Sequence, residues 1–166
     1  MTGTRLGTSR ERGWNGLLAE RWRHSEGDLG EVRVRDTEVI VMLQGRLRVR
    51  RRGDGRLQHC DAVPGTIWLC PDGVCEDMIH LYGEVEESIH LYLPSSPLSA
   101  TALQELDVDS GKVGLRYDGG FRDFLIEQIA WSVHGEMTDP APAGKLLVET
   151  LAVVKPPPGR RPGSVA

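Results

Sequence analysis

The first half of the chain alternates apolar and polar residues in short segments. Residues 37–43 form a nearly continuous apolar run, which is typical of a strand covered on both faces. Leu47 and Val49 then alternate with arginines up to Arg51, and Gly53-Asp54-Gly55 is a hairpin turn signal. Further strands are predicted over 31–34, 57–62, 66–70, 78–82 and 88–93.

The pattern changes to a helical period in the last third of the chain. Apolar residues recur at helical spacing over 121–137, and 145–154 is a second, strongly apolar helix candidate. Pro140 and Pro142 separate the two, and three prolines follow Lys155. The predicted fold is mainly β, a barrel followed by two C-terminal α-helices. The predicted division is a flexible arm (1–13), the barrel (14–98), a helical region packed on it (99–155) and a disordered tail (156–166).

Composition narrows the function classes. The chain has 166 residues, enough for one domain with a core, and a net charge of −4 offers no general attraction to nucleic acid. There is no long apolar run and no signal-peptide pattern, so a cytoplasmic protein without membrane contact is expected. The three cysteines lack paired spacing, which favours reduced thiols over a disulfide framework.

The segment from Gly65 to Gly73, G-T-I-W-L-C-P-D-G, resembles the second sequence motif of the cupin β-barrel, G-x5-P-x-G-x2-H-x3-N. This resemblance implies a double-stranded β-helix, also called a jelly roll. In its spacing, Glu76 stands where the family has a metal-binding histidine, and His80 stands where it has asparagine. Glu38 and Gly45 match the second half of the first cupin motif, but no histidine falls at its metal-binding positions.

The resemblance therefore implies a barrel without the metal of its relatives. Under the cupin mapping Arg33, Glu38 and Glu76 converge inside the barrel mouth, where an internal ion pair would replace the metal or orient a polar ligand. The alternative is that all three side chains point to solvent. No metal and no cofactor are expected.

Two histidines supply further candidate site residues. If the turn between their strands centres on Val85, His80 and His90 face each other across a hairpin, with Tyr82 and Tyr92 on the same face. That face would line the lumen or lie under a helix or a partner. A metal site with Glu76 is the less common outcome for such histidines, and packed or hydrogen-bonded rings the more common one. Trp68 is a candidate pocket wall, or else plain core.

A basic hairpin contains six arginines, at positions 46, 48, 50, 51, 52 and 56. Their alternation with Leu47 and Val49 favours a solvated sheet face or a charged edge over a nucleic-acid site. No aromatic residues are interleaved to stack on bases. We therefore expect no DNA binding by this chain alone.

The chain also resembles the N-terminal effector-binding and dimerisation domain of AraC-type transcription regulators. The resemblance rests on Trp14-Asn15-Gly16-Leu17, the strand and turn from Val39 to Gly45, Pro64-Gly65-Thr66-Ile67-Trp68, and the two terminal helices. It implies a non-catalytic domain that senses an unknown small-molecule effector. The tail after the helices is too short for the DNA-binding domain of that family. A small cupin enzyme, an isomerase or a metal-dependent dioxygenase, is the alternative.

The last helix carries more apolar side chains than one narrow face needs. Such a surplus must be buried against the barrel or against a partner. Because the resembling regulators pair these helices, we expect a homodimer through Leu146, Leu147, Leu151 and Val154.

Overall fold

The computed structural model describes residues 3–93 and 115–153, with side chains up to residue 150. Eleven strands and two α-helices form over these residues. The strands are β1 (Gly3–Thr8), β2 (Leu18–His24), β3 (Gly27–Asp28), β4 (Val32–Arg33), β5 (Thr37–Gly45), β6 (Leu47–Gly53), β7 (Arg56–Ala62), β8 (Ile67–Cys70), β9 (Cys75–Tyr82), β10 (Val85–Leu93) and β11 (Asp118–Phe121). The helices are α1 (Phe124–Thr138) and α2 (Gly144–Val153).

The strands form two antiparallel sheets. A six-stranded sheet has the order β1-β2-β10-β5-β8-β11, and a five-stranded sheet has the order β3-β9-β6-β7 with β4 paired to β9. The two helices follow the last strand. The predicted mainly β fold with two C-terminal helices is confirmed.

Strand β5 shows how the six-stranded sheet is covered on both sides. Val39, Val41 and Leu43 belong to a core that includes residues of both helices. The alternate residues Ile40 and Met42 belong to a second core, shared with the five-stranded sheet. The continuous apolar run of this strand thus corresponds to burial on both faces, as predicted.

The helices cover the outer face of the six-stranded sheet. Ala130, Val133 and Met137 of α1 and Val148 of α2 are buried there. Asp123 caps α1, because its carboxylate accepts a hydrogen bond from the Ile126 backbone N–H at 3.0 Å. Among the described helices, none combines the length and apolar character needed to cross a bilayer.

Three predicted boundaries need correction. Residues 3–8, predicted as part of a flexible arm, form β1 and pair with β2. Strand β11 lies in the predicted helical region, yet it pairs with β8 and completes the six-stranded sheet. Phe121 belongs to that strand, so α1 begins three residues after the start of the helical pattern. Residues 94–114 and the predicted disordered tail lie outside the described residues.

The predicted hairpin turn forms between β6 and β7. Asp54 and Gly55 have φ of 49° and 67°, so both central residues occupy the left-handed region. Two such residues make a type I′ turn, which matches the twist of the flanking strands. Gly53 and Arg56 are the last paired residues before the turn. This turn fixes the register that determines which arginines of β6 face the barrel interior.

Candidate functional site

A cavity of about 200 Å³ lies between the two sheets. Its walls are mostly apolar, and two tryptophans contribute to them. The apolar lining comprises Trp22, Leu29, Val32, Ile40, Val49, Trp68, Ile79, Leu81 and Val85. The polar lining comprises His24, Glu38, Arg51, Glu76, Ser88, His90 and Tyr92. The polar side chains form two groups, which we call the arginine cluster (Arg51, Gln58, Glu76, Tyr117) and the histidine cluster (His24, Glu38, Ser88, His90).

The arginine cluster is centred on a buried ion pair. Arg51 is 3% exposed and Glu76 is 2% exposed. The Arg51 Nη1 donates to Glu76 Oε1 at 3.1 Å, and the Tyr117 hydroxyl donates to the same oxygen at 2.8 Å. Arg51 Nε donates to Gln58 Oε1 at 2.8 Å, and its Nη2 donates to the Asp118 carbonyl. Every nitrogen of this guanidinium is therefore engaged within the protein.

Burial and charge oppose each other at Glu76. Removal from water raises the pKa of Glu76 above its usual value, while the charge of Arg51 and the hydrogen bond from Tyr117 act against that rise. The Arg51 guanidinium also lies over the Tyr117 ring, 4.2 Å from its centroid. Burial, followed by the nearby Glu76 charge, raises the pKa of Tyr117 well above its normal range. The tyrosine thus remains a hydrogen-bond donor to the carboxylate.

The close approach of Tyr117 depends on Gly53. A Cβ atom at this position would lie 2.9 Å from Tyr117 Cζ and 3.2 Å from Glu76 Cγ. Contacts below about 3 Å force a displacement of one partner. The glycine of the hairpin signal therefore has a second role beside the turn itself, since it leaves room for the tyrosine ring.

The donor set at the cupin metal position does not suit a divalent metal. Glu76, which occupies the place of a metal-binding histidine in the cupin spacing, is matched by the Arg51 guanidinium at 3.1 Å. A divalent cation bound to this carboxylate would lie beside a fixed positive charge. In residues 3–93 and 115–153, no group of three or more histidine, cysteine, aspartate or glutamate side chains is placed to hold a metal ion.

The histidine cluster is less completely paired. His90 Nδ1 lies 2.7 Å from Glu38 Oε1, and its Nε2 lies 3.1 Å from the Ser88 hydroxyl. Because an ionised carboxylate only accepts, His90 donates from Nδ1 to Glu38. Tyr92 is the cross-strand neighbour of Glu38, and burial, followed by the Glu38 charge, raises the pKa of its phenol. Glu38 retains carboxylate lone pairs that these contacts do not use.

His24 completes this cluster without a hydrogen-bond partner at one ring nitrogen. Its ring stacks on Trp22 with centroids 5.8 Å apart and lies 6.1 Å from the His90 ring. The Nδ1 atom is buried and has no partner among the described residues. Burial, and then the neighbouring His90, lower the pKa of His24 to about 4. This ring is therefore neutral at physiological pH.

Five of the eight predicted site residues meet in the cavity. They are Glu38, Trp68, Glu76, His90 and Tyr92. Arg33 is exposed on β4, opposite Cys75, so the expected convergence of Arg33 with Glu38 and Glu76 is wrong. The predicted internal ion pair exists, but Arg51 provides its cation.

The expected hairpin between His80 and His90 is also wrong. Strand β9 pairs with β6 in one sheet, whereas β10 pairs with β2 and β5 in the other. Tyr82 is 46% exposed, and His80 Nδ1 contacts Asp28 at 2.6 Å on the outer face of the five-stranded sheet. The connection after Tyr82 crosses between sheets, and strand alternation alone does not reveal such a crossing.

A bulge in β9 brings Glu76 to the interior. Arg52 pairs with Met78 and Gly53 pairs with Glu76, so Asp77 is the extra residue. Ile79 and Leu81 face the cavity, and without the extra residue Glu76 would share the outer face of His80.

Sequence reasoning missed five members of the two clusters, which are His24, Arg51, Gln58, Ser88 and Tyr117. Arg51 was grouped with the solvated arginines, although it shares strand parity with the inward residues Leu47 and Val49. That parity was a usable signal. His24 shares parity with Trp22 on β2 and lay in a segment without a strand prediction. Tyr117 precedes a short, glycine-rich strand, which gave no comparable signal.

A further ionic contact links the sheet to helix α1. Glu87 accepts from Arg21 Nε at 2.6 Å, and His134 Nε2 lies 3.0 Å from the same oxygen. The Arg21 and His134 contacts hold the pKa of Glu87 below its usual value despite its burial. Because Ser88 of the histidine cluster follows Glu87 directly on β10, the cavity and the helix are connected through one peptide unit.

Comparisons with known proteins give a fold-level likeness only. No protein-family model matches the sequence, and a search of curated proteins found no match. Solved structures with a similar chain path include oxalate decarboxylase from Bacillus subtilis (17% identity, TM-score 0.44, 66% of this chain and 33% of that one). Another is a cupin superfamily protein from Desulfitobacterium hafniense (13% identity, TM-score 0.43, 55% of this chain and 77% of that one). A third is a protein of unknown function from Rhizobium leguminosarum (23% identity, TM-score 0.43, 57% of this chain and 83% of that one). This chain thus spans about a third of the length of the decarboxylase.

Proposed function

We propose that this chain is a non-catalytic, small-molecule-sensing and dimerisation domain of the kind found in AraC-type transcription regulators. The observation that carries the proposal is the cavity, which has apolar walls and one cluster of incompletely paired polar groups. Ligand-binding sites in proteins generally combine an apolar wall with a few orienting polar groups. The chain alone would not recognise a DNA sequence.

The arginine cluster weighs against the alternative of a metal-dependent cupin enzyme. Its carboxylate is neutralised by Arg51 and hydrogen-bonded by Tyr117. A general acid or base needs a proton position that can face a substrate. The described contacts of the Glu76 carboxylate are made by its Oε1 atom, which accepts hydrogen bonds from Arg51 and Tyr117 of the protein itself. The cluster therefore supports a structural role, and the ligand would be oriented by the histidine cluster.

The contact between Glu87 and His134 offers a route from the ligand to the helices. A ligand that displaces Ser88 or His90 would move the neighbouring Glu87, to which His134 of α1 is bound at 3.0 Å. A sensor needs such a differential contact between its ligand site and its output surface. In this proposal the output surface is formed by the two helices.

Exposed apolar side chains on both helices support a homodimer. Phe124 is 78% exposed, Leu146 69% and Leu147 44%, and Leu125 and Trp131 are each 40% exposed. The opposite faces, which carry Val133 and Val148, pack on the barrel. The barrel therefore does not use the apolar surplus of α2. The Leu151 side chain and Val154, also predicted at the interface, lie outside the described residues.

Sedimentation equilibrium tests the dimer. We expect Leu147→Glu to weaken association by several kcal/mol, because the interface would bury an unpaired charge. Leu57→Glu is the matched control, since Leu57 is 48% exposed on β7, away from the helices. A wild-type chain that is monomeric at micromolar concentration would contradict the dimer. Equal weakening by both variants would also contradict it.

A thermal-shift screen tests the sensing role. Metabolites that raise the melting temperature should also shift the indole NMR signals of Trp22 and Trp68, which line the cavity. A compound that shifts only Trp131, on the exposed face of α1, binds outside the cavity. A screen in which every stabilising compound leaves Trp22 and Trp68 unchanged would contradict the sensing role.

A further inference from the structure

The charges that face the cavity do not leave a cation for an anionic ligand. Arg51 is matched by Glu76 at 3.1 Å and holds two further acceptors. The pKa of His24 is lowered to about 4, so this ring carries no charge at neutral pH. Any charge on His90 would be opposed by Glu38 at 2.7 Å. A carboxylate or phosphate in this cavity would meet Glu38 without a compensating group.

The polar groups of the cavity offer acceptors more than donors. The Trp22 indole N–H donates to Glu20 at 3.1 Å, and His90 donates to Glu38. Each guanidinium nitrogen of Arg51 already donates one hydrogen bond to a protein group. Glu38, by contrast, is a charged acceptor with unused lone pairs. A ligand group that donates a hydrogen bond is therefore the one that this site can satisfy.

The cavity dimensions limit the ligand to a small apolar body. Its volume is about 200 Å³, and two indole rings form part of its wall. A dry apolar cavity of about 150 Å³ holds a single benzene ring in another protein. A ring with one short substituent would therefore fill this space.

Resting on the proposed function, we propose that the cavity binds a neutral, single-ring-sized molecule that donates one hydrogen bond to Glu38. Phenols and aryl alcohols have this chemistry. Ring carboxylates are rejected because their charge adds to that of Glu38. Ring ammonium ions are disfavoured because a second charge would lose its hydration between mostly apolar walls. Ring compounds without a donor bind more weakly, since the charged acceptor then loses contact with water without a replacement.

Four probes with the same ring separate these chemistries. Benzyl alcohol, toluene, benzoate and benzylamine are titrated into the 15N-labelled protein, and the indole signals of Trp22 and Trp68 are followed. We expect benzyl alcohol to bind about tenfold more tightly than toluene, and benzoate not to shift these signals. A shift of the Trp131 signal without a shift of Trp22 and Trp68 would indicate binding outside the cavity.

A conservative variant assigns the hydrogen bond to Glu38. In Glu38→Gln the acceptor becomes neutral, so we expect the affinity for benzyl alcohol to fall about tenfold and that for toluene not to fall. Glu86→Gln is the control, because Glu86 is exposed on β10 and makes the same chemical change outside the cavity. The melting temperature of each variant shows whether it is folded.

The outcomes distinguish the ligand class from the proposed function. Binding of benzoate or benzylamine at Trp22 and Trp68, tighter than that of benzyl alcohol, would overturn the neutral-donor class and leave the sensing role standing. Equal weakening of alcohol and toluene in Glu38→Gln would overturn the hydrogen bond to Glu38. Signals that respond to none of the four probes would overturn the class, and the metabolite screen would then decide the sensing role separately.

Discussion

The arginine cluster and the histidine cluster contain similar groups in one cavity, but they differ in how completely these groups are paired. Glu76 receives two hydrogen bonds at one oxygen, and each nitrogen of its cationic partner Arg51 donates a hydrogen bond. Glu38 has no arginine partner and contacts His90 and Tyr92, while the buried Nδ1 of the nearby His24 has no partner among the described residues. Both carboxylates stand at positions of the cupin spacing. Glu76 is paired with groups of the protein, whereas Glu38 remains available to a ligand.

This difference teaches that a charged residue in a cavity is not in itself evidence of a binding group. What decides is whether its hydrogen-bonding capacity is already used. The arginine cluster is expected to govern stability, and the histidine cluster is expected to govern binding. The predictions below test this division, starting with the largest effect.

Removal of Arg51 should produce the largest loss of stability. In Arg51→Met the Glu76 carboxylate stays buried without its cation, which costs about 3–5 kcal/mol. Urea unfolding measures this loss. Adding Glu76→Leu to the same chain should restore part of it, because the unpaired charge is removed together with its need for a partner.

Arg52→Met provides the matched control for Arg51→Met. Arg52 is the next residue on β6 and pairs with Asp77, but both side chains are about half exposed. Exposed ion pairs of this kind contribute little to stability, so the loss in Arg52→Met should be much smaller. If the two arginine variants lose the same stability, the special role of the buried pair is refuted.

Alanine at Gly53 should disturb the arginine cluster by a smaller amount. Its Cβ would displace the Tyr117 ring, at a cost of about 1–3 kcal/mol. Gly135 in α1 has open space at its Cβ position, so Gly135→Ala should instead stabilise the protein by about 0.5–1 kcal/mol. Opposite signs in urea unfolding are expected. A neutral Gly53→Ala would mean that the tyrosine does not depend on this close contact.

The histidine cluster should make the free energy of unfolding depend on pH. Unfolded His24 takes up a proton near pH 6.5, whereas folded His24 does so only near pH 4. Between these values the unfolded state binds more protons, so His24 makes the folded protein less stable as the pH falls. After allowance for solvent screening, the loss is about 1–2 kcal/mol.

The His24→Gln variant isolates this pH effect. The difference in unfolding free energy between wild type and variant should change between pH 6.5 and 4 and remain constant below pH 4. His59→Gln is the control, because His59 is exposed on β7. A difference that does not vary with pH for His24→Gln would show that this ring is not held neutral.

The sequence predicted the fold well because the relevant signals are local. The apolar run of β5, the turn at Asp54 and Gly55, and the helical spacing of α1 and α2 each act within a few residues. The strands β1, β2, β3 and β11 were not predicted. Three of them, β1, β3 and β11, contain glycine, and β2, β3 and β11 pair with strands distant in the chain. Their pairing is a property of the assembled sheet.

The site was predicted in part for a related physical reason. Glu38 and Glu76 followed from motif spacing, and Trp68, His90 and Tyr92 from their place in predicted strands. The inward direction of Glu76 depends on the bulge at Asp77, and the separation of His80 from His90 depends on a crossing between sheets. Neither has a signature in the alternation pattern. Arg51 did have a signature, because it lies on the same face of β6 as Leu47 and Val49. Its charge nevertheless favoured the prediction that it faces solvent.

The most direct test of the two-cluster account is to observe both carboxylates during ligand binding. In 13C-labelled protein, the side-chain carboxylate signals of Glu38 and Glu76 are followed as benzyl alcohol is added. We expect the Glu38 signal to shift with the same dissociation constant as the Trp22 and Trp68 indoles, and the Glu76 signal to stay in place. A shift of Glu76 without a shift of Glu38 would contradict the account.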